Sequence, residues 1–197
     1  GWKFIARMNK ENIFLVGLDA KHRWFRYHHL FRKFLTHQLR RHRSAGEICA
    51  LHSRASGWFA ENGFELLNLD EKIGFEGAGD CLHDRRGPWV WTGYGFRTEI
   101  EAHREIQEFF DLEVVSIRLT DERFYHIDTT FCPLTDGFLM YHPPGFDYDS
   151  RIAIESRVPP HKRIIVDTMD AGNFACNAVN IGDQVILNSA SEPLKAR

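Results

Sequence analysis

The feature that most constrains the fold is a series of short strand-like segments after residue 63. Apolar and β-branched runs alternate there with only two helix-like stretches, at residues 97–110 and 149–158. Short strands alternating with helices indicate an α/β domain, but so few helices exclude a doubly wound sheet. The strand-like runs are FELLNL, WVWTGYGF, EVVSIRL, RFYHIDTTF, GFLMYH, RIIVDT and QVILN.

The charge of the chain is divided unevenly along its length. Residues 1–63 carry 12 Lys and Arg against 4 Asp and Glu, a balance of +8. Residues 64–197 carry 13 against 23, a balance of −10, so the net charge of −2 conceals two different segments. This asymmetry predicts two domains, 1–63 and 64–197.

The basic segment is predicted to be a hairpin followed by two helices. Residues 12–19 and 23–31 have the apolar and aromatic composition of strands, and apolar residues then recur at helical spacing over 30–39 and 48–59. The Glu-Asn-Gly run at 61–63 is a typical helix end. The basic helix fits either nucleic-acid binding or a solvated face over a core, and we favour the solvated face. Nucleic acid is therefore not an expected partner.

Several classes of protein are excluded because the sequence lacks their characteristic features. It has no apolar run long enough to span a membrane and no signal-peptide pattern, so we expect a cytoplasmic protein without a membrane partner. Its four cysteines lie far apart, without a CxxC pair, which argues against a zinc site and against a disulfide framework. No phosphate-binding loop or dinucleotide fingerprint is present. We expect no metal and no cofactor.

Three stretches of the second segment carry candidate chemistry. They are the glycine-rich turn GFEGAGDCLHD at 74–84, the pair His126 and Asp128, and NFACNAVNIGDQVILN at 173–188. If 123–131 is a strand, His126 and Asp128 lie on the same face, because side chains alternate with a period of two. Each stretch also has a plain structural interpretation: a tight turn, a chance pairing and a buried strand pair.

The first segment resembles a known connector. The stretch NIFLVGLDAKHRWFRYHHLFRKFLTHQLRR, followed by ICALHSRASGWFAENG, is similar to the winged-helix region after the ATPase module in transcriptional activators of the LuxR/maltose-regulator type. The similarity covers about residues 8–63. It implies a small, winged-helix-like and mostly helical segment. It does not imply ATP hydrolysis or operator binding, because the motifs for both are missing.

The order of FEGAGD, RFYHIDTTFCPL and DAGNFACNAVNIGDQVILN resembles the amidinotransferase superfamily. That family includes dimethylarginine dimethylaminohydrolase, arginine deiminase and glycine amidinotransferase. The resemblance covers about residues 64–197 and implies a partial α/β propeller built from pentein-like ββαβ modules. The implied partner is a guanidino small molecule of the arginine or methylarginine type.

The resemblance also implies roles for individual residues. His126 matches the catalytic acid/base histidine, and Glu76 matches a catalytic carboxylate that orients it and contacts the substrate. Asp128 matches a second substrate-binding carboxylate, and Asp80 closes the glycine-rich motif as a further candidate contact. In the family a cysteine thiolate attacks the guanidinium carbon, while the histidine protonates the departing amine. Carboxylates hold the planar cation.

The nucleophile is where the sequence departs from the family. The family's cysteine lies in a glycine-rich segment beyond the equivalent of Arg197, and neither Cys132 nor Cys176 matches it. We therefore expect an incomplete guanidine-modifying domain that is inactive by itself and self-associates through exposed strand edges. Hydrolase and transferase chemistry both stay open. The alternative is a regulatory or interaction fragment of a LuxR-type regulator.

Overall fold

The structure is a computed structural model that describes residues 15–17, 25–27, 29–70 and 72–196. The chain divides into two compact units, Gly1–Leu66 and Leu67–Arg197. The domain division drawn from the charge pattern, 1–63 and 64–197, stays a prediction. No described helix is long and apolar enough to cross a bilayer.

The described part of the first unit is a short hairpin and two helices. Strands β1 (Leu15–Gly17) and β2 (Phe25–Tyr27) pair in antiparallel fashion. Helix α1 spans His29–His42 and helix α2 spans Ala45–Glu61. The rest of the two predicted strands lies outside the described residues.

Helix α2 begins and ends where its sequence indicates. The Ser44 hydroxyl accepts the Glu47 N–H, and the Glu47 carboxylate accepts the Ser44 N–H, which completes a capping box. Gly63 follows the helix with φ of 81°, in the left-handed region that glycine enters without steric cost. The predicted stop at 61–63 is thus confirmed.

The second unit opens with one ββαβ module. Its elements are β3 (Cys81–His83), β4 (Trp89–Tyr94), α3 (Ala102–Phe110) and β5 (Glu113–Arg118). Strand β4 lies in the centre of the sheet, antiparallel to β3 and parallel to β5. A parallel pair needs a long crossover connection, and α3 supplies it.

A second module repeats this arrangement. It consists of β6 (Phe131–Pro133), β7 (Leu139–Tyr141), α4 (Tyr148–Arg157) and β8 (Arg163–Ile165), with β7 antiparallel to β6 and parallel to β8. The α/β class predicted from the sequence is confirmed. Closure into a propeller stays a prediction. The remaining elements are α5 (Thr168–Gly172), the antiparallel pair β9 (Val179–Ile181) and β10 (Gln184–Ile186), and α6 (Glu192–Lys195).

The two faces of β4 are buried against different apolar clusters. Val90 packs with Ala102 and Ile106 of α3, whereas Trp91 joins the larger cluster that includes Phe131 and other residues of the second module. Alternation along a strand sends neighbouring side chains to opposite faces, so a nearly continuous apolar run is what a central strand requires. Side chains of β4 thus pack against α3 on one face and against the second module on the other.

Three local predictions are wrong. Residues 64–70 form no strand, and the helix predicted from residue 97 begins only at Ala102. The stretch 123–131 is not a continuous strand, because a 3₁₀ helix at Ile127–Thr129 precedes β6. The Thr129 hydroxyl donates to the His126 carbonyl there, and such local side-chain bonds to the backbone compete with strand pairing. The period-two argument for His126 and Asp128 therefore fails.

Candidate functional site

Two short turns position the polar residues of the site. Glu76 immediately precedes the 3₁₀ helix Gly77–Gly79, and His126 immediately precedes the 3₁₀ helix Ile127–Thr129. Each turn leads directly into the first strand of a ββαβ module. Glu76 and His126 thus occupy equivalent places in consecutive modules.

The imidazole of His126 lies between two carboxylates. Its Nδ1 is 2.8 Å from Oδ2 of Asp80, and its Nε2 is 3.1 Å from Oε2 of Glu76. An Nδ1–H that donates to a carboxylate fixes the tautomer and orientation of the ring. The Nε2 atom is then the nitrogen left for proton transfer.

The Asp80 side chain is buried, and both of its carboxylate oxygens accept hydrogen bonds. Its side chain is 1% exposed, its Oδ1 accepts the Ile127 N–H at 3.0 Å, and its Oδ2 accepts the Thr98 hydroxyl at 2.8 Å. Buried carboxylates need such partners, because an unpaired charge in the interior is costly. Asp80 faces His126 from the interior, not from the open side of the site.

Glu76 approaches from the solvent side. Its side chain is 46% exposed, and the oxygen that does not face His126 accepts a hydrogen bond from Arg97 at 3.2 Å. The Arg97 guanidinium also lies over the Tyr125 ring, 5.2 Å from its centroid. Glu76 therefore already holds one guanidinium group, at a place that solvent reaches.

The surroundings of His126 favour its protonated form. Burial alone disfavours the imidazolium, but the hydrogen bond to Asp80 and the charges of Asp80, Asp128 and Glu76 outweigh it. They raise the pKa of His126 above its ordinary value. The ring therefore retains a proton that it is able to donate up to a higher pH than an ordinary histidine side chain does.

Asp128 is partly buried beside this pair. Burial raises the pKa of its carboxyl to about 6, and the charge of Asp80 adds to the rise while His126 and Asn177 oppose it. The Asn177 amide also donates to the Asp128 carbonyl oxygen at 3.3 Å. A carboxylate that is costly to ionise in the fold gains from a cationic partner.

The structure thus brings together Glu76, Asp80 and His126, and it places Asp128 within electrostatic reach of His126. The site contains three carboxyl groups, one histidine and the Arg97 guanidinium. A planar cation that offers several N–H donors fits such a site better than an anion does. In the described part of the chain, no group of three or more His, Cys, Asp or Glu side chains is arranged to hold a metal ion.

Sequence reasoning missed two residues that shape the site. Thr98 binds Asp80, and Gly79 lies against the His126 ring, where a Cβ atom would stand 3.0 Å from Cγ. Thr98 belongs to no motif, and Gly79 lies within the glycine-rich turn at 74–84, which did not indicate its contact with His126. The Asp80–His126 contact spans 46 positions, and no local pattern in the sequence indicates it.

The cysteines of the second unit are poor nucleophiles. Cys132 and Cys176 are buried, and burial raises the pKa of Cys132 to about 11 and that of Cys176 further still. Cys81 is partly buried and its pKa is also raised. Because the thiolate is the reactive form, none of these three thiols is activated for attack.

Comparison with known proteins confirms both resemblances drawn from the sequence. The family model for the MalT winged helix domain matches residues 1–47. The chain is 57% identical over 140 residues to the bifunctional arginine dihydrolase/ornithine cyclodeaminase ArgZ of Synechocystis sp., a match that covers 71% of this chain and 20% of ArgZ. It is 41% identical over 116 residues to the dimethylarginine dimethylaminohydrolase of Mycobacterium tuberculosis, covering 59% of this chain and 37% of that enzyme.

The fold agrees with that of ArgZ. A crystal structure of the N-terminal domain of ArgZ, a cysteine-to-serine mutant bound to its substrate, superposes with a TM-score of 0.69 over 72% of this chain and 52% of that one. The chain therefore spans about a fifth of ArgZ and about half of its N-terminal domain. The chain is therefore homologous to ArgZ and to the dimethylarginine dimethylaminohydrolase, and it shares an α/β fold with ArgZ.

Proposed function

We propose that the second unit is a guanidine-modifying domain of the amidinohydrolase type that binds arginine or a methylated arginine. The observation that carries the proposal is His126 held between Asp80 and Glu76, with Asp128 beside it. The homology to ArgZ and to a dimethylarginine dimethylaminohydrolase supports this substrate class. A cytoplasmic location belongs to the same proposal.

We assign each residue a role according to how buried its side chain is. Asp80 is closed to solvent and orients His126 through Nδ1, so we assign it a positioning role instead of substrate contact. Glu76 and Asp128 bind the guanidinium, because Glu76 is open to solvent and burial leaves the Asp128 carboxylate in need of a cation. His126 protonates the departing amine through Nε2 and then deprotonates the attacking water or acceptor amine.

Turnover requires a nucleophile that the thiols of the second unit do not supply. The raised pKa values of Cys81, Cys132 and Cys176 leave almost no thiolate near neutral pH. Loss of a nucleophile that works as a unit with its base removes most catalysis, roughly 10⁶-fold in subtilisin-type proteases. We expect the 197-residue chain to bind guanidino compounds without turning them over at an enzymatic rate.

Calorimetric titration of the chain with L-arginine tests the binding. We expect binding that Glu76→Gln and Asp128→Asn each weaken, because each removes one carboxylate from the cation. Asp183→Asn is the matched control, since it removes the same charge from the exposed turn between β9 and β10. Absence of binding, or equal weakening by the control, contradicts the proposal.

A release assay for citrulline, ammonia and methylamines tests the chemistry. We expect no product above background from L-arginine or dimethylarginine. Robust turnover that Cys132→Ser or Cys176→Ser abolishes would show that a buried thiol is the nucleophile after all.

A second candidate function concerns the first unit. The winged-helix match over residues 1–47 favours a regulatory or interaction role that is separate from guanidine binding. Arg41 is exposed at the end of α1, so a substitution there tests whether the first unit acts separately from guanidine binding. If the units work independently, Arg41→Glu leaves the affinity for L-arginine unchanged, and a measurable loss of affinity contradicts the separation.

A further inference from the structure

Thr98 forms hydrogen bonds with both Glu76 and Asp80, the two residues whose carboxylates face His126. It is only 2% exposed, in the loop between β4 and α3. Its hydroxyl oxygen accepts the Glu76 N–H at 3.2 Å, and the same hydroxyl donates to Oδ2 of Asp80 at 2.8 Å. One hydroxyl is able to serve both, because it offers one donor and two acceptor lone pairs.

These two bonds complete a ring of contacts around His126. Oδ2 of Asp80 also accepts from Nδ1 of His126, and Nε2 of His126 faces the side chain of Glu76. The ring of contacts therefore links the Glu76 backbone to Thr98, Thr98 to Asp80, and Asp80 to the imidazole. The contact between the imidazole and the Glu76 carboxylate closes it. The four contacts are 2.8 to 3.2 Å long, which is the ordinary range for hydrogen bonds.

The loop that carries Thr98 is anchored on both sides. The Gly95 N–H donates to the Thr98 carbonyl at 3.1 Å, and the Glu99 N–H donates to the Gly74 carbonyl at 2.9 Å. The Gly74 N–H in turn donates to the Glu99 carboxylate at 3.0 Å. The chain segment leading to Glu76 is thus bound to this loop at two places, Gly74 and Glu76, and the bond from Glu76 to Thr98 is the one nearer His126.

We propose that Thr98 is a positioning residue whose hydroxyl couples the Glu76 backbone to the Asp80 carboxylate, so that both carboxylates reach His126 from opposite sides. The consequence for catalysis rests on the proposed function. The coupling between Thr98 and His126 does not, because it consists of hydrogen bonds within the protein itself. Measurements that need no substrate therefore test it separately.

The experiment compares three variants of the 197-residue chain. Thr98→Val removes the hydroxyl and keeps the shape, and Thr98→Ser keeps the hydroxyl. Thr92→Val is the matched control, because Thr92 is also fully buried on β4 but its hydroxyl faces the Cys81 sulfur at 3.9 Å. The readouts are the NMR titration of His126, the hydrogen exchange of the Glu76 amide and the affinity for L-arginine.

In Thr98→Val, we expect the pKa of His126 to fall, because the Glu76 backbone loses its bond to the hydroxyl and Asp80 keeps only the Ile127 N–H to hold its side chain beside the ring. We also expect faster exchange of the Glu76 amide and weaker L-arginine binding. Thr98→Ser restores all three, and Thr92→Val changes none. A folded Thr98→Val protein with unchanged His126 titration and unchanged Glu76 exchange overturns the proposal.

Two further outcomes keep the test decisive. If Thr98→Val does not fold, the unsubstituted protein still decides, because the Glu76 amide lies outside every described helix and strand and bonds to Thr98. Exchange of that amide at the rate of an unprotected peptide overturns the proposal. If L-arginine binds to neither the unsubstituted protein nor Thr98→Ser, the proposed function fails, while the His126 and Glu76 readouts still decide the coupling.

Discussion

The His126 ring lies directly against Gly79, so that a Cβ atom on Gly79 would stand 3.0 Å from Cγ and 3.2 Å from Nδ1 of the imidazole. Both distances are shorter than ordinary van der Waals contact. The glycine is therefore required by space and not by its backbone angle. The absence of a side chain at this one position lets Asp80, the next residue, reach Nδ1.

Gly79→Ala is expected to push the ring away from Asp80 by a few tenths of an ångström. The weakened hydrogen bond lowers the pKa of His126 toward its ordinary value, and L-arginine binds more weakly. NMR titration of His126 measures the first effect and calorimetry the second. Gly172→Ala is the control, because no described atom lies within 4 Å of its added Cβ. Identical titration curves for Gly79→Ala and the unsubstituted protein would refute the contact.

Asp128 is expected to reduce the stability of the fold at neutral pH. Its pKa is raised from 3.8 to about 6, so the folded state disfavours the carboxylate relative to the unfolded chain. The contribution of Asp128 to stability is therefore greatest below pH 4 and is lost as the pH rises through about 6. Asp128→Asn should raise the free energy of unfolding at pH 7.5 by about 1–2 kcal/mol, allowing for partial exposure to solvent.

Urea unfolding at pH 7.5 and pH 4 measures this effect, which should shrink at the lower pH. The same variant should bind L-arginine more weakly, because it loses a carboxylate of the proposed site. Asp183→Asn, on an exposed turn, controls for the change in net charge. If Asp128→Asn is less stable than the unsubstituted protein at pH 7.5, the destabilising effect assigned to the ionised Asp128 is contradicted.

His103 is expected to make the fold sensitive to acid. It is 5% exposed, its Nδ1 lies 2.7 Å from the Ser116 hydroxyl, and burial lowers its pKa below the ordinary value of 6.5. Below pH 6.5, His103 becomes protonated in the unfolded chain, whereas in the folded protein it stays neutral to a lower pH. Its contribution to stability is thus present above pH 6.5 and is lost as the pH falls from there toward the lower folded value.

Equilibrium unfolding between pH 7 and pH 5 checks the acid sensitivity. His103→Gln keeps a polar partner for Ser116 and should flatten the dependence of stability on pH over this range. His161→Gln, at an exposed position, should leave the slope as it is. Equal slopes for His103→Gln and the unsubstituted protein would exclude His103 as the source.

The thiols are expected to differ sharply in reactivity. Cys49 is exposed on α2, whereas Cys132 and Cys176 are buried and have raised pKa values. Iodoacetamide should alkylate Cys49 quickly and reach the two buried thiols only when the fold opens. Peptide mass mapping over time distinguishes the sites. Alkylation of Cys132 as fast as that of Cys49 would reopen the question of a nucleophile in this chain.

Local patterns in the sequence predicted the elements whose side chains alternate regularly. The apolar run at 89–94 became the central strand β4, and the helical spacing over 48–59 became most of α2. The prediction failed at 123–131, where bulky residues suggested a strand. Asp80 and Thr129 bind the backbone there and hold it in a 3₁₀ turn. A periodicity argument cannot predict the bond from Ile127 to Asp80, because the two residues are 47 positions apart in the sequence.

What the sequence determined by itself is the α/β class, the two dissimilar segments and the identity of the residues that carry charge at the site. Side-chain periodicity and motif order are local properties, so they are readable without coordinates. Only the tertiary structure decided that Asp80, buried beside Thr98, is the partner of the His126 Nδ1, and that Glu76 takes the exposed side. Burial and partners separated by tens of residues arise from packing one module against the next, and burial sets which carboxylate is enclosed beside the histidine and which is open to solvent.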